Sequence, residues 1–137
     1  MPIDQIHARL GVAALLFLLV AGVWGLLRWR RHLSVDAGYF GVLVVGELLL
    51  LGQALLGAYM LLQGQGAVLE RPGMHVLYGV LPVLALPAVY AFTQGRTESP
   101  REQGLYGFVC LFMAALVWRA SVTSAPLAAA WLALLLA

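Results

Sequence analysis

Apolar positions along this chain fall into four long runs separated by short polar stretches. The runs lie at about 8–27, 39–62, 75–92 and 105–120. Each is near the ~20 residues that an α-helix needs to cross the hydrocarbon core of a bilayer. No period-two alternation suggests a β-barrel. In lipid every backbone amide must be paired within its own segment, so helices are the natural reading. The connectors carry the turn signals. Arg28 to Asp36 is basic, Gln63 to Gly73 is glycine-rich and closes on Arg71-Pro72-Gly73, and Gln94 to Gln103 is polar and contains Pro100. Pro82 and Pro87 fall inside the third run, where a membrane helix tolerates them with a kink. The tail, residues 127–137, is apolar but too short to span. An interfacial helix, a re-entrant helix and the start of a fifth span all remain open for it. The expectation is an all-α fold, a polytopic membrane four-helix bundle forming one domain over 1–137.

Composition agrees with the pattern. Hydrophobic residues make up 63% of the chain and charged residues 10%, against roughly 25% charged in an average soluble domain. One soluble core of this length could not bury so much apolar surface. All eight positive charges are arginine, and their spread carries no nucleic-acid footprint. The lone Cys110 lies in an apolar run and cannot form an intramolecular disulfide. Arg28, Arg30 and Arg31 follow the first run where a leader peptide would need small residues, so that run reads as a retained helix.

Charge also orients the spans. With four crossings, the side opposite the N-terminus carries Arg28, Arg30, Arg31, Arg96 and Arg101, and the N-terminal side carries Arg9, Arg71 and Arg119. By the positive-inside rule the first group is cytoplasmic. The N-terminus and the loop between the second and third helices then face outward from the cell (inner) membrane.

The four runs are related in pairs. Ile6-His7-Ala8-Arg9-Leu10-Gly11-Val12 opens the first helix, and Met74-His75-Val76-Leu77-Tyr78-Gly79-Val80 opens the third. Gly38-Tyr39-Phe40-Gly41 opens the second, and Gly104-Leu105-Tyr106-Gly107 opens the fourth. The offsets are 75 − 7 = 68 and 104 − 38 = 66, nearly one spacing. The pattern predicts a tandem repeat of a helical hairpin about an axis along the membrane normal. It places His7 and His75 at one depth, facing each other across the axis.

Two neutral imidazoles so placed suit the axial positions of a haem iron. A structural zinc would need four nitrogen or sulfur ligands, which the sequence lacks. Gly11 and Gly79 each lie four residues after their histidine, on the same helix face, where a missing side chain leaves room for a flat macrocycle. Close helix packing also explains such glycines, but not their repeated register with histidine. Ala14 and Leu18 continue the face of His7. Arg9, Arg71 and Arg119 are the arginines on that side, and arginine grips carboxylates such as haem propionates bidentately. A snorkelling interfacial anchor is the alternative for Arg119. Glu47 and Gln53 are the polar residues within the second span. Glu47 lies roughly 12 Å in from the basic side, and a carboxyl at that depth is expected to face the bundle interior. Gln53 is deeper, is expected to face the core, and maps onto Arg119 through the repeat. His32 reads as a solvated loop residue. Tyr78, Trp24, Trp29, Trp118 and Trp131 read as interfacial or lipid-facing aromatics. No Cys-x-x-Cys-His attachment motif is present, so a haem b would be held non-covalently.

These residues resemble the haem A synthase family, whose members carry two four-helix halves, each with a histidine pair able to hold haem. Asp4-Gln5-Ile6-His7-Ala8-Arg9-Leu10-Gly11 looks like the family's Glu-x-x-His-Arg helix start, with aspartate for glutamate and arginine shifted by one. Gln53-Ala54-Leu55-Leu56-Gly57 is similar to its Gln-x-x-Leu-Gly stretch, and Met74-His75-Val76-Leu77 resembles the opening of its next helix. The resemblance covers roughly residues 4–91. It implies haem binding through His7 and His75, and oxidation of a haem methyl group with Asp4 at the position of the family's catalytic acid. Only one half is present, and the cysteine pair of an outer loop is missing. Two haem sites would then take two chains. Two functions are expected from different classes. One is a bis-histidine b-type haem protein for electron transfer or haem modification. The other is a cofactor-free accessory subunit of a respiratory or photosynthetic complex, in which Glu47 meets a partner. Either fits a homo-oligomer or a subunit of a larger membrane assembly, with lipid as the common partner.

Overall fold

The computed structural model describes residues 2–124. The apolar tail 127–137, with Trp131, lies outside the described residues. The rest folds as four helices: α1 (Ile3–Arg30), α2 (Ala37–Leu62), α3 (Pro72–Phe92) and α4 (Pro100–Val122), with a short 3-10 helix, Gln65–Val68, between α2 and α3. All four are long and apolar enough to cross a membrane. The bundle is the all-helical, four-span architecture expected from the hydrophobic runs.

Each helix is longer than its apolar run, α1 and α4 because polar turns extend them. α4 starts five residues before its apolar run, inside the stretch expected to be a connector. Pro100 occupies the first turn, where its missing N–H costs nothing. Ser99 caps Arg101 N at 3.1 Å, and Glu102 accepts from Ser99 N at 3.0 Å, a reciprocal capping box. Asp36 caps α2 by accepting from Tyr39 N at 2.8 Å. α3 runs unbroken through Pro82 and Pro87. Gly64 and Gly95 follow the ends of α2 and α3 with φ of 77° and 71°, left-handed values that glycine adopts without a Cβ clash.

Consecutive helices run antiparallel, and α1 also packs along α4, so the order around the bundle is α1-α2-α3-α4. α1 and α3, which carry the histidines, are therefore diagonal. The seams are unequal. α1 and α4 touch backbone to backbone: a Cβ on Gly25 would lie 2.8 Å from the Gly107 Cα, and one on Gly107 would lie 2.9 Å from Leu26 N. Small residues allow such approach where lipid supplies no hydrophobic drive. The repeat partner of Gly107 is Gly41, which has no neighbour within 4 Å. The two hairpins share a plan, and the two seams between them differ: α1 packs closely on α4, and α2 packs more loosely on α3.

The core is one stripe: Ala14, Leu18 and Ala21 of α1, Tyr39, Leu43 and Leu50 of α2, Leu86 of α3, and Tyr106, Cys110 and Met113 of α4. Cys110 is a buried free thiol. Outward positions are large and apolar, as with Val20, Leu55, Leu84 and Phe112. Water would penalise that surface, whereas lipid does not.

Candidate functional site

At the basic end, Arg28 is the organising residue. Its Nε donates to Gln103 Oε1 at 3.2 Å, and its Nη2 donates to Ser34 O at 2.9 Å and to Asp36 Oδ2 at 2.8 Å. Gln103 is fully buried, and its amide also reaches Gly25 O at 3.5 Å. The Tyr39 hydroxyl donates to Ala21 O at 3.0 Å. Val35 N donates to Thr97 O at 3.1 Å, tying the two loops of this end together. Asp36, outside the spans, has its carboxyl pushed below the usual aspartate value, first by the Tyr39 backbone N–H and then by Arg28. From sequence Arg28 was read as a topology signal alone, because a positive charge just past a span looks the same whether it anchors or cross-links.

The other end holds the histidines. His7, in the second turn of α1, and His75, in the first turn of α3, lie with ring centroids 6.2 Å apart and planes tilted by 56°. This is the juxtaposition that the repeat predicts. Each ring has one nitrogen engaged by the bundle. His75 Nδ1 lies 2.9 Å from Ala120 O. A carbonyl only accepts, so Nδ1 carries the hydrogen and a neutral ring keeps its lone pair on Nε2. Ala120 is in the last turn of α4, and its carbonyl also accepts from Thr123 N at 3.2 Å and from the Thr123 hydroxyl at 2.8 Å. His7 Nε2 lies 3.3 Å from the Gln53 side-chain nitrogen. His7 Nδ1 and Gln53 Oε1 are buried with no hydrogen-bond partner. Turning the Gln53 amide lets Oε1 accept from His7 Nε2–H and leaves the Nδ1 lone pair free. In either orientation His7 Nδ1 is unpaired.

The expected site residues divide into those that meet the pair and those that do not. Gln53 meets His7. A Cβ on Gly11 would lie 3.0 Å from the Gln53 amide, so Gln53 fills the space that this glycine opens. Gly79 has nothing within 4 Å of where its Cβ would be, and its face is open. Arg119, the repeat counterpart of Gln53, places its guanidinium 5.6 Å from the centre of the Tyr78 ring, a cation–π contact, while the next carbonyl, Ala120 O, serves His75. Tyr78, expected as an interfacial aromatic, is half-buried and meets Arg119. Arg9, Arg71 and Asp4 are exposed. Arg71 caps α3 and accepts from His75 N at 3.0 Å through its carbonyl. Gly57 was not singled out as a site residue. A Cβ there would lie 3.2 Å from His7 Cε1, so this glycine seats the His7 ring. Its register with Gln53, four residues earlier on the same helix face, was the available signal.

Glu47 lies apart from the pair. It lines a cleft of about 120 Å³ with Phe40, Leu43, Val44, Leu86, Tyr90 and Tyr106, and its Oε2 is buried without a partner. His32 is exposed in the basic loop, as expected.

Among the described residues, no group of three or more histidine, cysteine or acidic side chains is gathered for a metal ion. A planar cofactor that brings its own equatorial nitrogens asks only for two axial ligands. Two imidazoles on opposite sides of one metal ion, each with a bond of about 2.0–2.1 Å, hold their centroids about 6 Å apart. The observed separation and the single free nitrogen per ring fit that requirement. The fold and site thus define a four-helix membrane bundle with a diagonal histidine pair. No protein-family model, no curated protein and no solved structure matches the chain.

Proposed function

We propose that this chain is a b-type haem-binding membrane protein, with His7 and His75 as axial ligands of one non-covalently held haem. The observation that carries the reading is the 6.2 Å separation of two diagonal imidazoles, each with one nitrogen engaged and one left over. Gly57 and Gln53 seat His7, the Ala120 carbonyl orients His75, and the open face at Gly79 gives room beside the pair. Arg9, Arg71 and Arg119 stand nearest in sequence to this end and are the candidates to meet the propionates. When bound, the haem supplies one-electron transfer. Haem modification, as the likeness to one half of haem A synthase implies, would draw on Asp4, an exposed carboxylate one turn before His7. The arginine-rich end is cytoplasmic and the histidine end faces outward.

The test is pyridine haemochrome analysis of the purified protein with a reduced-minus-oxidised spectrum. Haem b with a low-spin Soret band, reduced at least tenfold in content by His75→Ala, is the expected result. Haem-free protein, or a spectrum unchanged by the substitution, overturns the reading.

One observation favours a second reading. Glu47 Oε2 has no partner, and it sits where α2 and α3 face outward. A partner helix donating a hydrogen bond there would make the chain an accessory subunit of a larger complex. Co-purification with such a complex, lost in Glu47→Leu while the protein stays haem-free, would support it.

A further inference from the structure

A recess lies at the opposite end of the described bundle from the histidines, and the haem reading does not use it. It has a volume of about 600 Å³, and its walls come from three helix ends: Trp29 of α1, Phe92 of α3, and Leu105 and Phe108 of α4. Ligand pockets run about 300–1,000 Å³. The rim carries Arg96 and Arg101. Arg96 uses its Nε on Thr93 O at 3.1 Å. Its terminal nitrogens and the whole Arg101 guanidinium make no side-chain hydrogen bond or ion pair among the described residues, although the Arg96 charge is near enough to act on the Glu102 carboxyl. Glu102 also lines the recess, but its carboxylate is held by Ser99 N. Two arginines and one glutamate leave the recess one net positive charge.

We propose that this recess binds an anionic glycerophospholipid, with the phosphodiester on Arg96 and Arg101 and an acyl chain along Phe92, Leu105 and Phe108. The arrangement has the two halves that such a molecule needs: a guanidinium pair that forks onto phosphate, and beneath it an aromatic wall at the ends of the spans. Phe92 and Phe108 are 79% and 54% exposed, a poor surface to leave in water and a good one for a lipid tail. Trp29 stacks edge-on against Phe108 at 5.9 Å and closes the far side, while Gly104 admits the indole: a Cβ there would lie 2.9 Å from it. One net positive charge matches one phosphodiester. A choline headgroup would set its own cation beside the two arginines. A free phosphate would use the rim and leave the aromatic wall uncovered.

Native mass spectrometry of the full chain in detergent, titrated with phosphatidylglycerol or phosphatidylcholine, tests the proposal. Phosphatidylglycerol should be retained in preference to phosphatidylcholine. In the double variant Arg96→Gln/Arg101→Gln its affinity should fall about thirtyfold, equivalent to about 2 kcal/mol, at about 1 kcal/mol per basic residue. Both arginines are exposed, and circular dichroism should show the variant folded. A second variant, Leu105→Asp, should weaken phosphatidylglycerol binding with the arginines in place. Equal retention of the two lipids, undiminished retention by the double variant, or full competition by inorganic phosphate overturns the proposal. The readout is independent of haem, so it stands or falls separately from the histidine pair.

Discussion

The two ends of this bundle treat their polar groups in opposite ways. At the basic end, Arg28, Gln103, Asp36 and Tyr39 satisfy one another and the backbone across three helices and two loops. At the histidine end, His7 Nδ1 and Gln53 Oε1 are buried and unpaired, and Gly79 opens onto space. An unpaired buried polar atom costs about 1–3 kcal/mol. A chain that pairs the buried polar groups of one end could fill the other with leucines. Apart from Glu47 Oε2 in its own cleft, the partnerless buried polar atoms among the described residues lie at the histidine end, where the fold alone does not call for them.

The glycines give the largest expected contrast. Gly25→Leu would drive a side chain into the Tyr39 hydroxyl and the Gly107 backbone. It should lower stability by about 3 kcal/mol, as overpacking of a tight seam does, measured by detergent-titrated unfolding. Gly79→Leu meets no neighbour. It should leave the haem-free protein within about 0.5 kcal/mol of the parent, as surface changes do, while reducing haem content. Equal destabilisation by both would erase the difference between the ends.

A smaller effect is expected at Arg28. Arg28→Ala leaves Gln103 buried without its donor and frees the loops, at a cost of about 2 kcal/mol for hydrogen bonds to a charged group. Arg28→Lys should recover only part of this, because lysine lacks the planar fork that reaches three acceptors. Full recovery would show that charge alone matters there.

The smallest effect is the pH dependence of Asp36. Its carboxyl is depressed in the folded protein, so its contribution is complete above the ordinary aspartate range. The contribution fades as pH falls through the depressed value. Unfolding followed across that range should show a slight acid loss in the parent that Asp36→Asn lacks. The site is exposed, so a large acid effect would point to other carboxyls.

The spans and the histidine pair were legible from sequence because both rest on spacing. Run length sets a crossing, and the 68-residue offset from His7 to His75 fixes a shared depth. The start of α4 was less so. Counting apolar residues puts it at Leu105, while Ser99 and Glu102 had already capped it at Pro100. The Arg28 network was hidden, since Ser34 and Asp36 reach it only through the turn between α1 and α2, and Gln103 only through the packing of α1 on α4. Ala120 could not be read at all, because it contributes a backbone carbonyl that any residue would supply. The unequal seams were equally invisible: Gly41 and Gly107 are equivalent by repeat and opposite in burial.

The central claim is that His7 and His75 share one ligand. Its most direct test is a haem titration of the purified protein and of His7→Ala and His75→Ala, followed by ferric electron paramagnetic resonance. The account predicts saturation at one haem per chain, a low-spin bis-histidine signal in the parent, and loss of that signal in each single variant. A parent that takes up no haem, or a low-spin signal that survives in either variant, would contradict it.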